Sequence, residues 1–330
     1  MTTLIAWINR AIWFGTVIMF GSTGEIITER SGNLNLGVPG IMMLGGFAGF
    51  AGAYFYENSV ASPSVLLVIL ITLICGFVAA ALGGLIYSVL TITLRANQNV
   101  TGLALTIFGA GMANFFGVLV LNGGTSVKAS FAHEVFTKPI PYLSTHLGWF
   151  GKMFFSYGFM VYLAVLVAAV LNYFIYRTRT GLNLRAVGEN PATADAAGIN
   201  VTRYKYLATC LGAGITGLGG VYYVMDYGYA TWSTANSIQA LGWLAVALVI
   251  FATWKPKNII WGAYVFGIFY WLYNYLPKML GFKLPNYAVQ LIQTVPYIVT
   301  ILVLIYVSRH NNRESRGPAA LGLSYFREDR

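Results

Sequence analysis

Long apolar runs separated by short polar segments dominate the chain up to about position 307. A helix needs about 20 mostly apolar residues to cross the hydrocarbon core of a bilayer. The pattern therefore predicts an all-α integral membrane protein, a polytopic bundle of about nine transmembrane helices. Glycine and proline interrupt several runs, which indicates broken or re-entrant segments. The predicted spans are Leu4–Ile27, Val38–Tyr56, Val65–Leu94, Thr101–Leu121, Met153–Tyr176, Tyr204–Met225, Ile238–Trp254, Ile259–Leu276 and Ala288–Val307.

The fifth run shows how strongly the pattern favours insertion. Between Met153 and Tyr176 stand twelve Leu, Ile, Val or Phe residues and no charged residue. Each contributes about −0.3 to −0.6 kcal/mol, or roughly −4 to −7 kcal/mol together. A single central Arg or Asp would cost only about 2.5 to 3.5 kcal/mol. This run inserts without help from its neighbours.

Composition and charge support the same fold class. Of the 330 residues, 57% are apolar and 9% charged, whereas a soluble domain carries about a quarter charged residues. The net charge of +10 comes from short loops and the C-terminal tail. Nucleic acid is excluded as a partner because its binding needs a continuous basic surface. The expected surroundings are membrane lipid.

The basic residues also predict the orientation. Fourteen of the twenty Lys and Arg residues fall on one predicted side, which the positive-inside rule assigns to the cytoplasm. The N-terminus is then outside, with loop 122–152 and connection 226–237, and the C-terminus is inside. The cytoplasmic set comprises Arg30, Arg95, the loop 177–205, Lys255, Lys257 and the tail after residue 308.

Several other chemistries lack their sequence signals. Cys75 and Cys210 each lie within an apolar run and form neither a disulfide framework nor a zinc motif. The three histidines lie in loops or the tail without metal-ligand spacing. Gly212–Gly217 matches a dinucleotide-binding pattern literally, but it lies inside a span, where close helix packing is the favoured interpretation. No Gly-x-x-x-x-Gly-Lys-Ser/Thr loop occurs, so the chain does not hold ATP by that device. No cofactor is predicted.

The loop after the fifth span carries the most informative local signals. Asn190 is a good N-cap, and Pro191 suits the first helical position. Residues 192–197 favour a helix, and Gly198 can end it in the left-handed conformation. These signals predict a short rigid helix outside the membrane, on the cytoplasmic side. An ordinary structured loop is the alternative that capping alone leaves open.

This loop resembles the coupling-helix segment of permease subunits in type II ATP-binding-cassette (ABC) importers, in the branched-chain amino acid, simple sugar and nucleoside family. The recurring pattern Gly-x-Asn-Pro-x-x-Ala-x-x-x-Gly-Ile is matched by Gly188, Asn190, Pro191, Ala194, Gly198 and Ile199. Segments 28–40, 97–104, 242–248 and 254–256 also resemble the family in the correct order, the first two most closely its nucleoside branch. Pro39 departs from that branch, which usually has Glu there.

The resemblance implies a bacterial or archaeal plasma-membrane importer. In such an importer this chain is non-catalytic and assembles with three kinds of partner. These are a second permease chain, expected to be a paralogue, two ABC ATPase subunits, and an extracytoplasmic substrate-binding protein. The implied division is a permease domain, 1–310, containing the coupling loop 177–203, followed by a cytoplasmic tail, 311–330. The residues assigned by the resemblance to ATPase coupling are Arg185, Gly188, Glu189, Asn190, Pro191, Ala194, Asp195, Gly198 and Ile199.

Interrupted apolar segments are also the best pointers to a transport route. Two such segments carry neutral polar and aromatic groups that suit a hydroxyl-rich solute. The aromatics favour an interfacial anchoring belt, with stacking on a base or sugar face as the open alternative. Glu25 and Asp226 lie near predicted span ends, where an interfacial or structural role is expected. The candidate route residues are Asn33, Asn35, Pro39, Asn97, Asn99, Tyr227, Trp232, Asn236 and Gln239.

Three function classes are compared. The first is a permease for a nucleoside, with a simple sugar or other small solute as the near alternative. The second, an ion-coupled secondary transporter, needs interior ionisable residues, in which the chain is poor. The third, a membrane-embedded enzyme, needs a cluster of catalytic side chains that the sequence does not show.

Overall fold

The computed structural model describes residues 2–139, 148–233, 237–281, 285–310 and 317–326. Helices account for most of this length, and two short strands complete the elements. The π-helical segments Val89–Thr93 and Tyr223–Tyr227 each continue the α-helix that precedes them. The elements are α1 (Thr2–Arg30), α2 (Val38–Ser59), α3 (Val65–Ser88), α4 (Gln98–Leu121), β1 (Ser126–Lys128), α5 (Ser130–Thr137), α6 (Gly148–Phe154), α7 (Phe159–Arg177), α8 (Arg179–Glu189), α9 (Pro191–Ala196), α10 (Val201–Tyr222), β2 (Thr231–Ser233), α11 (Ile238–Phe251), α12 (Pro256–Tyr270), α13 (Leu272–Leu280), α14 (Asn286–Gln293) and α15 (Val295–His310).

The predicted helical, polytopic membrane fold is confirmed. Within the described residues, 6 helices are long and apolar enough to cross a membrane by length and composition: α1 to α4, α7 and α10. Three predicted spans are not single straight helices. The span Met153–Tyr176 divides into the end of α6 and all of α7, Ile259–Leu276 divides at Trp271, and Ala288–Val307 divides at Thr294.

Two of these divisions have a local cause. Between α6 and α7 the Tyr157 hydroxyl bonds with Asn9 Oδ1 and with the Met153 carbonyl, both at 2.8 Å, which holds the chain in a turn. Pro296 lies in the first turn of α15, where its missing N–H costs no helical hydrogen bond. At the division between α12 and α13, the backbone leaves helical geometry at Trp271, with φ −89° and ψ 1°. Further on, Gly281, at a φ of 73°, ends α13 in the left-handed conformation.

The centre of the bundle is α10, which packs against α1, α2 and α3. Glycines permit this close approach: a Cβ at Gly45 would lie 2.5 Å from the Cα of Gly217, and one at Gly220 would collide with the carbonyl oxygen of Met42. The interpretation of these glycine runs as helix-packing positions is therefore confirmed, and no nucleotide loop is formed at Gly212–Gly217 because the segment is helical.

The two ends of the bundle differ. At one end lie the α1–α2 connection, the turn at Arg95, α8, α9 and residues 317–326, joined by hydrogen bonds described below. These are the elements that the charge pattern assigns to the cytoplasm. At the other end β1 and β2 pair antiparallel, with Val127 opposite Trp232, and α5 follows β1. The sequence analysis missed this strand pair because each strand has only 3 residues.

Candidate functional site

The short helix predicted from local signals is present as α9. Asn190 caps it, since its Oδ1 accepts a hydrogen bond from Thr193 N–H at 3.0 Å. Pro191 occupies the first helical position. Gly198 ends the turn at a φ of 81°, and the Ile199 N–H returns to the Ala194 carbonyl at 3.0 Å. The helix therefore begins and ends where capping chemistry places it.

The outer face of α9 projects away from the protein. Ala192, Thr193 and Ala196 are exposed, whereas Ala194 is 3% exposed and packs with Val187 and Val201. One buried alanine thus anchors the helix, and most of its remaining side chains face outward. A short, capped helix anchored in this way can receive a push from a bound partner without changing its own shape.

A second helix, α8, precedes α9 and was missed by the sequence analysis. Thr178 caps it by accepting a hydrogen bond from Gly181 N–H at 3.0 Å, and Gly181, Leu184 and Val187 form its buried face. The sequence signal that could have predicted α8 was this capping threonine, followed at helical spacing by the positions that are buried. At its end, a Cβ at Gly188 would collide with the carbonyl oxygen of Arg30, so α8 lies directly against the end of α1.

Behind α8, a polar network joins α1 to the corner between α11 and α12. The Arg30 guanidinium donates to the Trp254 carbonyl from Nε at 3.1 Å and from Nη2 at 2.9 Å. The Trp254 indole N–H donates to the Glu29 carboxylate. Thr253 and Trp254 have φ values of 53° and 54°, an uncommon left-handed pair whose backbone strain is balanced by these contacts. Sequence reasoning did not identify this network, although charges within an apolar run usually have buried partners.

The C-terminal segment 317–326 packs across the same end. Its backbone donates from Ala320 N–H to the Gly188 carbonyl at 3.0 Å, and from Gly322 N–H to the Gly32 carbonyl at 3.1 Å. The Tyr325 hydroxyl donates to Asp195 Oδ2 at 2.9 Å. The tail thus contacts α8, α9 and the α1–α2 connection together.

Two further coupling candidates, Arg185 and Glu189, lie in α8. The Arg185 guanidinium lies over the Tyr176 ring at 5.1 Å. Glu189 is exposed and accepts a hydrogen bond from Ala319 N–H at 3.4 Å. The structure therefore brings the predicted coupling residues together on one surface.

The first group of candidate route residues lies in the α1–α2 connection and is buried. Asn33 Nδ2 donates to Thr209 Oγ1 at 2.9 Å. The Asn35 N–H donates to Glu25 Oε1 at 3.2 Å, and Asn35 Oδ1 accepts from Gly37 N–H at 2.9 Å. Asn33 Nδ2 and Asn35 Oδ1 are thus used within the protein, whereas Asn33 Oδ1 is buried without a hydrogen-bond partner among the described residues. Pro39 is buried against Gly242.

The route candidates Asn97 and Asn99 lie at the start of α4. Asn97 is its N-cap and accepts from Val100 N–H at 3.1 Å, while Asn99 is exposed. Neither lines the buried connection that holds Asn33 and Asn35.

The second group lies toward the opposite end of the bundle. Trp232 is 1% exposed, and its ring centroid is 5.1 Å from that of Phe47, so it packs in the core rather than in a lipid-facing belt. Tyr227 contacts the Phe14 ring edge-on at 6.5 Å, Gln239 is exposed, and Asn236 lies outside the described residues. The structure does not bring the two groups of route candidates together.

Both acidic residues, for which a structural or interfacial role is expected, are buried within the protein, and Glu25 has a structural contact with Asn35. Asp226 is 0% and Glu25 1% exposed. Asp226 is covered because α10 continues as a π-helical segment beneath α5 and β2, tertiary packing that the sequence does not show. Neither Asp226 carboxyl oxygen has a hydrogen-bond partner among the described residues. The same part of the chain contains no cluster of three His, Cys, Asp or Glu side chains that could hold a metal ion.

Comparison with known proteins decides the family. The sequence profile of the permease components of branched-chain amino acid transport systems matches residues 7–306. The chain belongs to this permease family. It is an ABC transporter permease subunit, a multi-pass protein of the plasma membrane.

Named relatives align with this permease over nearly its whole length. A protein of Haloferax volcanii, provisionally named a glucose ABC transporter permease, is 34% identical and covers 97% of both chains. A guanosine ABC transporter permease of Bacillus subtilis is 28% identical, covering 96% of this chain and 95% of its own. A nucleoside ABC transporter permease of Lactococcus lactis is 27% identical, covering 99% and 98%. The relatives thus share the permease architecture but differ in the solute that they are named for.

The Asn190 cap of α9 allows the predicted role of this helix in ATP-driven uptake to be tested. We expect Asn190→Ala to lower ATP-driven uptake a few-fold, because loss of an N-cap destabilises a helix by about 1 kcal/mol. Asn190→Ser, which keeps a capping oxygen, is the matched control and should remain near wild type. Uptake by reconstituted complexes, normalised to inserted protein, provides the measurement. Equal loss in both variants would contradict a capping role.

Proposed function

We propose that this permease forms the translocation path for a nucleoside in an ATP-driven importer, with α9 as the helix that receives force from the ATPase. The observation that carries the proposal is the geometry of α9: a capped, outward-facing helix anchored by Ala194 and backed by α8. Gly188 and the bonds of Arg30 join that support to α1 and to the corner at Trp254. Movement of α9 would therefore reach the membrane bundle through packed backbone rather than through a loose loop.

The proposed assembly contains a second permease chain, two ABC ATPase subunits and an extracytoplasmic binding protein. This chain supplies no ATP-binding loop in its sequence, so hydrolysis is assigned to separate subunits. The binding protein would deliver the solute on the side of β1 and β2. The route itself would open between this chain and its partner permease.

Relatives named for nucleoside and guanosine transport, at 27% and 28% identity, support the nucleoside assignment. Glucose is the second candidate because the relative with 34% identity is named for it. Both solutes carry several hydroxyl groups and no net charge, which suits a chain with only 9% charged residues.

An ion-coupled transporter is less well supported. Such a protein needs interior carboxyl groups that can exchange ions. Glu25 and Glu29 are buried, but they accept hydrogen bonds from Asn35 and Trp254 and so serve the structure of the α1–α2 connection. Asp226 is the one buried carboxyl group that lacks a hydrogen-bond partner among the described residues. The stronger support for the importer is that the named relatives are ABC transporter permeases.

The solute test uses the complete importer in proteoliposomes with its binding protein. We expect ATP-dependent uptake of radiolabelled guanosine, adenosine or uridine, with glucose at least tenfold slower at equal concentration. Calorimetry with the isolated binding protein should give the same order of preference. Faster glucose uptake would replace the nucleoside by the sugar, and uptake driven by an ion gradient without ATP would overturn the importer.

A further inference from the structure

A polar cleft lies beside the proposed coupling helix. It has a volume of about 840 Å³ and is enclosed by the end of α9, the first turns of α10, the π-helical end of α3 and the C-terminal segment. Its walls include Arg95, Asp195, Arg203 and Tyr325. The cleft opens next to the exposed residues Gly198 and Thr202, on the surface that an ATPase subunit would approach.

The cleft carries a net positive charge. Arg95 and Arg203 contribute two guanidinium groups to its wall, against the one carboxylate of Asp195. Asp195 also accepts the Tyr325 hydroxyl. An arginine fork matches a carboxylate or a phosphate with two parallel hydrogen bonds. The chemistry of the cleft therefore favours a ligand with anionic oxygens.

The C-terminal segment makes this cleft a formed recess. The Phe326 ring lies 4.5 Å from the Arg95 guanidinium, and Tyr325 is tied to Asp195. Backbone bonds from Ala320 to Gly188 and from Gly322 to Gly32 hold the segment in place. Its wall thus depends on residues far apart in the sequence.

A second groove nearby has the opposite character. It has a volume of about 590 Å³ between α7, α8 and α10 and is lined by Phe174, Leu207 and Leu211. Leu207 and Leu211 are about half exposed, at 51% and 48%. An acyl chain suits this apolar groove, whereas the polar cleft suits a protein carboxylate.

We infer that the polar cleft receives an acidic segment of the ATPase subunit, so that α9 and the segment 317–326 dock to the ATPase as one composite surface. The inference rests on the proposed function, because it assumes that an ATPase binds at α9. The net positive charge of the cleft favours an anionic ligand, and the position of the cleft beside α9 favours an acidic segment of the ATPase over a lipid headgroup as that ligand.

The test is charge reversal in the full importer. We expect the double variant Arg95→Glu/Arg203→Glu to weaken association with the ATPase at least about tenfold, because unpaired like charges would meet at the interface. Arg95→Glu and Arg203→Glu are also made singly, and their control is Lys257→Glu, the same charge change at an exposed position on this end of the bundle, which should bind like wild type. Association is measured by titrating the ATPase onto nanodisc-embedded permease at several salt concentrations. Equal binding by the double variant and the control would overturn the inference.

A cross-linking measurement tests the site without relying on the charge variants. Thr202→Cys, in a chain with both native cysteines replaced by alanine, carries a photoactivatable probe at the rim of the cleft. The expected product joins the permease to an ATPase peptide rich in Asp or Glu. Products with phospholipid alone, or with an ATPase peptide lacking acidic residues, would overturn the inference.

The failure of the proposed function can be distinguished from the failure of the cleft assignment. If wild-type complexes bind ATPase but show no ATP-driven uptake, the proposed function fails. If uptake is normal and the arginine variants behave like Lys257→Glu, only the cleft assignment fails.

Discussion

Replacing Gly220 with valine is expected to prevent the membrane bundle from packing. A Cβ at this position of α10 would collide with the carbonyl oxygen of Met42 and approach the backbone nitrogen of Gly46 to 2.9 Å. Both are backbone atoms of α2, which cannot rotate away as a side chain can. Overpacking of a tight interior costs about 1 to 3 kcal/mol even where side chains adjust, so we expect a loss at or above the upper end of that range.

The control for this variant is Gly111→Val. Gly111 also lies within a transmembrane helix, α4, but a Cβ there would meet no atom within 4 Å. The two changes share helix propensity and added volume and differ in packing alone. Thermal unfolding of the solubilised protein should show a large fall in Tm, or no folded fraction, for Gly220→Val and little change for Gly111→Val. Similar unfolding curves would contradict the packing role of Gly220.

Replacing Gly198 with valine is expected to lower ATP-driven uptake at least about tenfold while the chain still inserts and folds. The residue has a φ of 81°, which a β-branched residue adopts only with strain of about 1 to 3 kcal/mol. Space is not the cause, because a Cβ at Gly198 would meet no atom within 4 Å. Relief of the strain would turn α9 relative to α10 and misalign the surface offered to the ATPase.

Gly198→Asn is the matched control, because asparagine tolerates the left-handed conformation better than valine does. We expect this variant to keep most of its uptake despite its larger, polar side chain. Uptake and ATP hydrolysis are measured together in proteoliposomes, and hydrolysis should persist in Gly198→Val more than uptake does. Equal uptake by the two variants would show that the conformation of this residue does not matter for coupling.

Local chemistry explains which parts of this fold the sequence could predict. The ends of α9 follow from Asn190, Pro191 and Gly198, whose effects act within one turn. The glycine runs likewise predict close helix contact, and the structure pairs Gly45 with Gly217. Apolar run length predicted the membrane class for the same reason, since insertion depends on each segment's own composition.

Long-range packing explains what the sequence could not predict. Trp232 and Asp226 resemble interfacial residues by position, yet the strand pair and α5 cover them, and these contacts join distant parts of the chain. Asn33 and Asn35 are predicted to line the transport route, and that role stays a prediction. The hydrogen bonds from Asn33 to Thr209 and from Asn35 to Glu25 depend on the folded arrangement. The burial of Arg30 beside Trp254 depends on it in the same way.

The contacts of the segment 317–326 also set an order for biosynthesis. Gly322 binds the backbone of Gly32, yet the ribosome, at about 5 to 20 residues per second, makes it at least about 15 s later. The helices can enter the bilayer during that interval while this end of the bundle still lacks one of its walls. A chain truncated before Ala320 would therefore insert with this surface left incomplete.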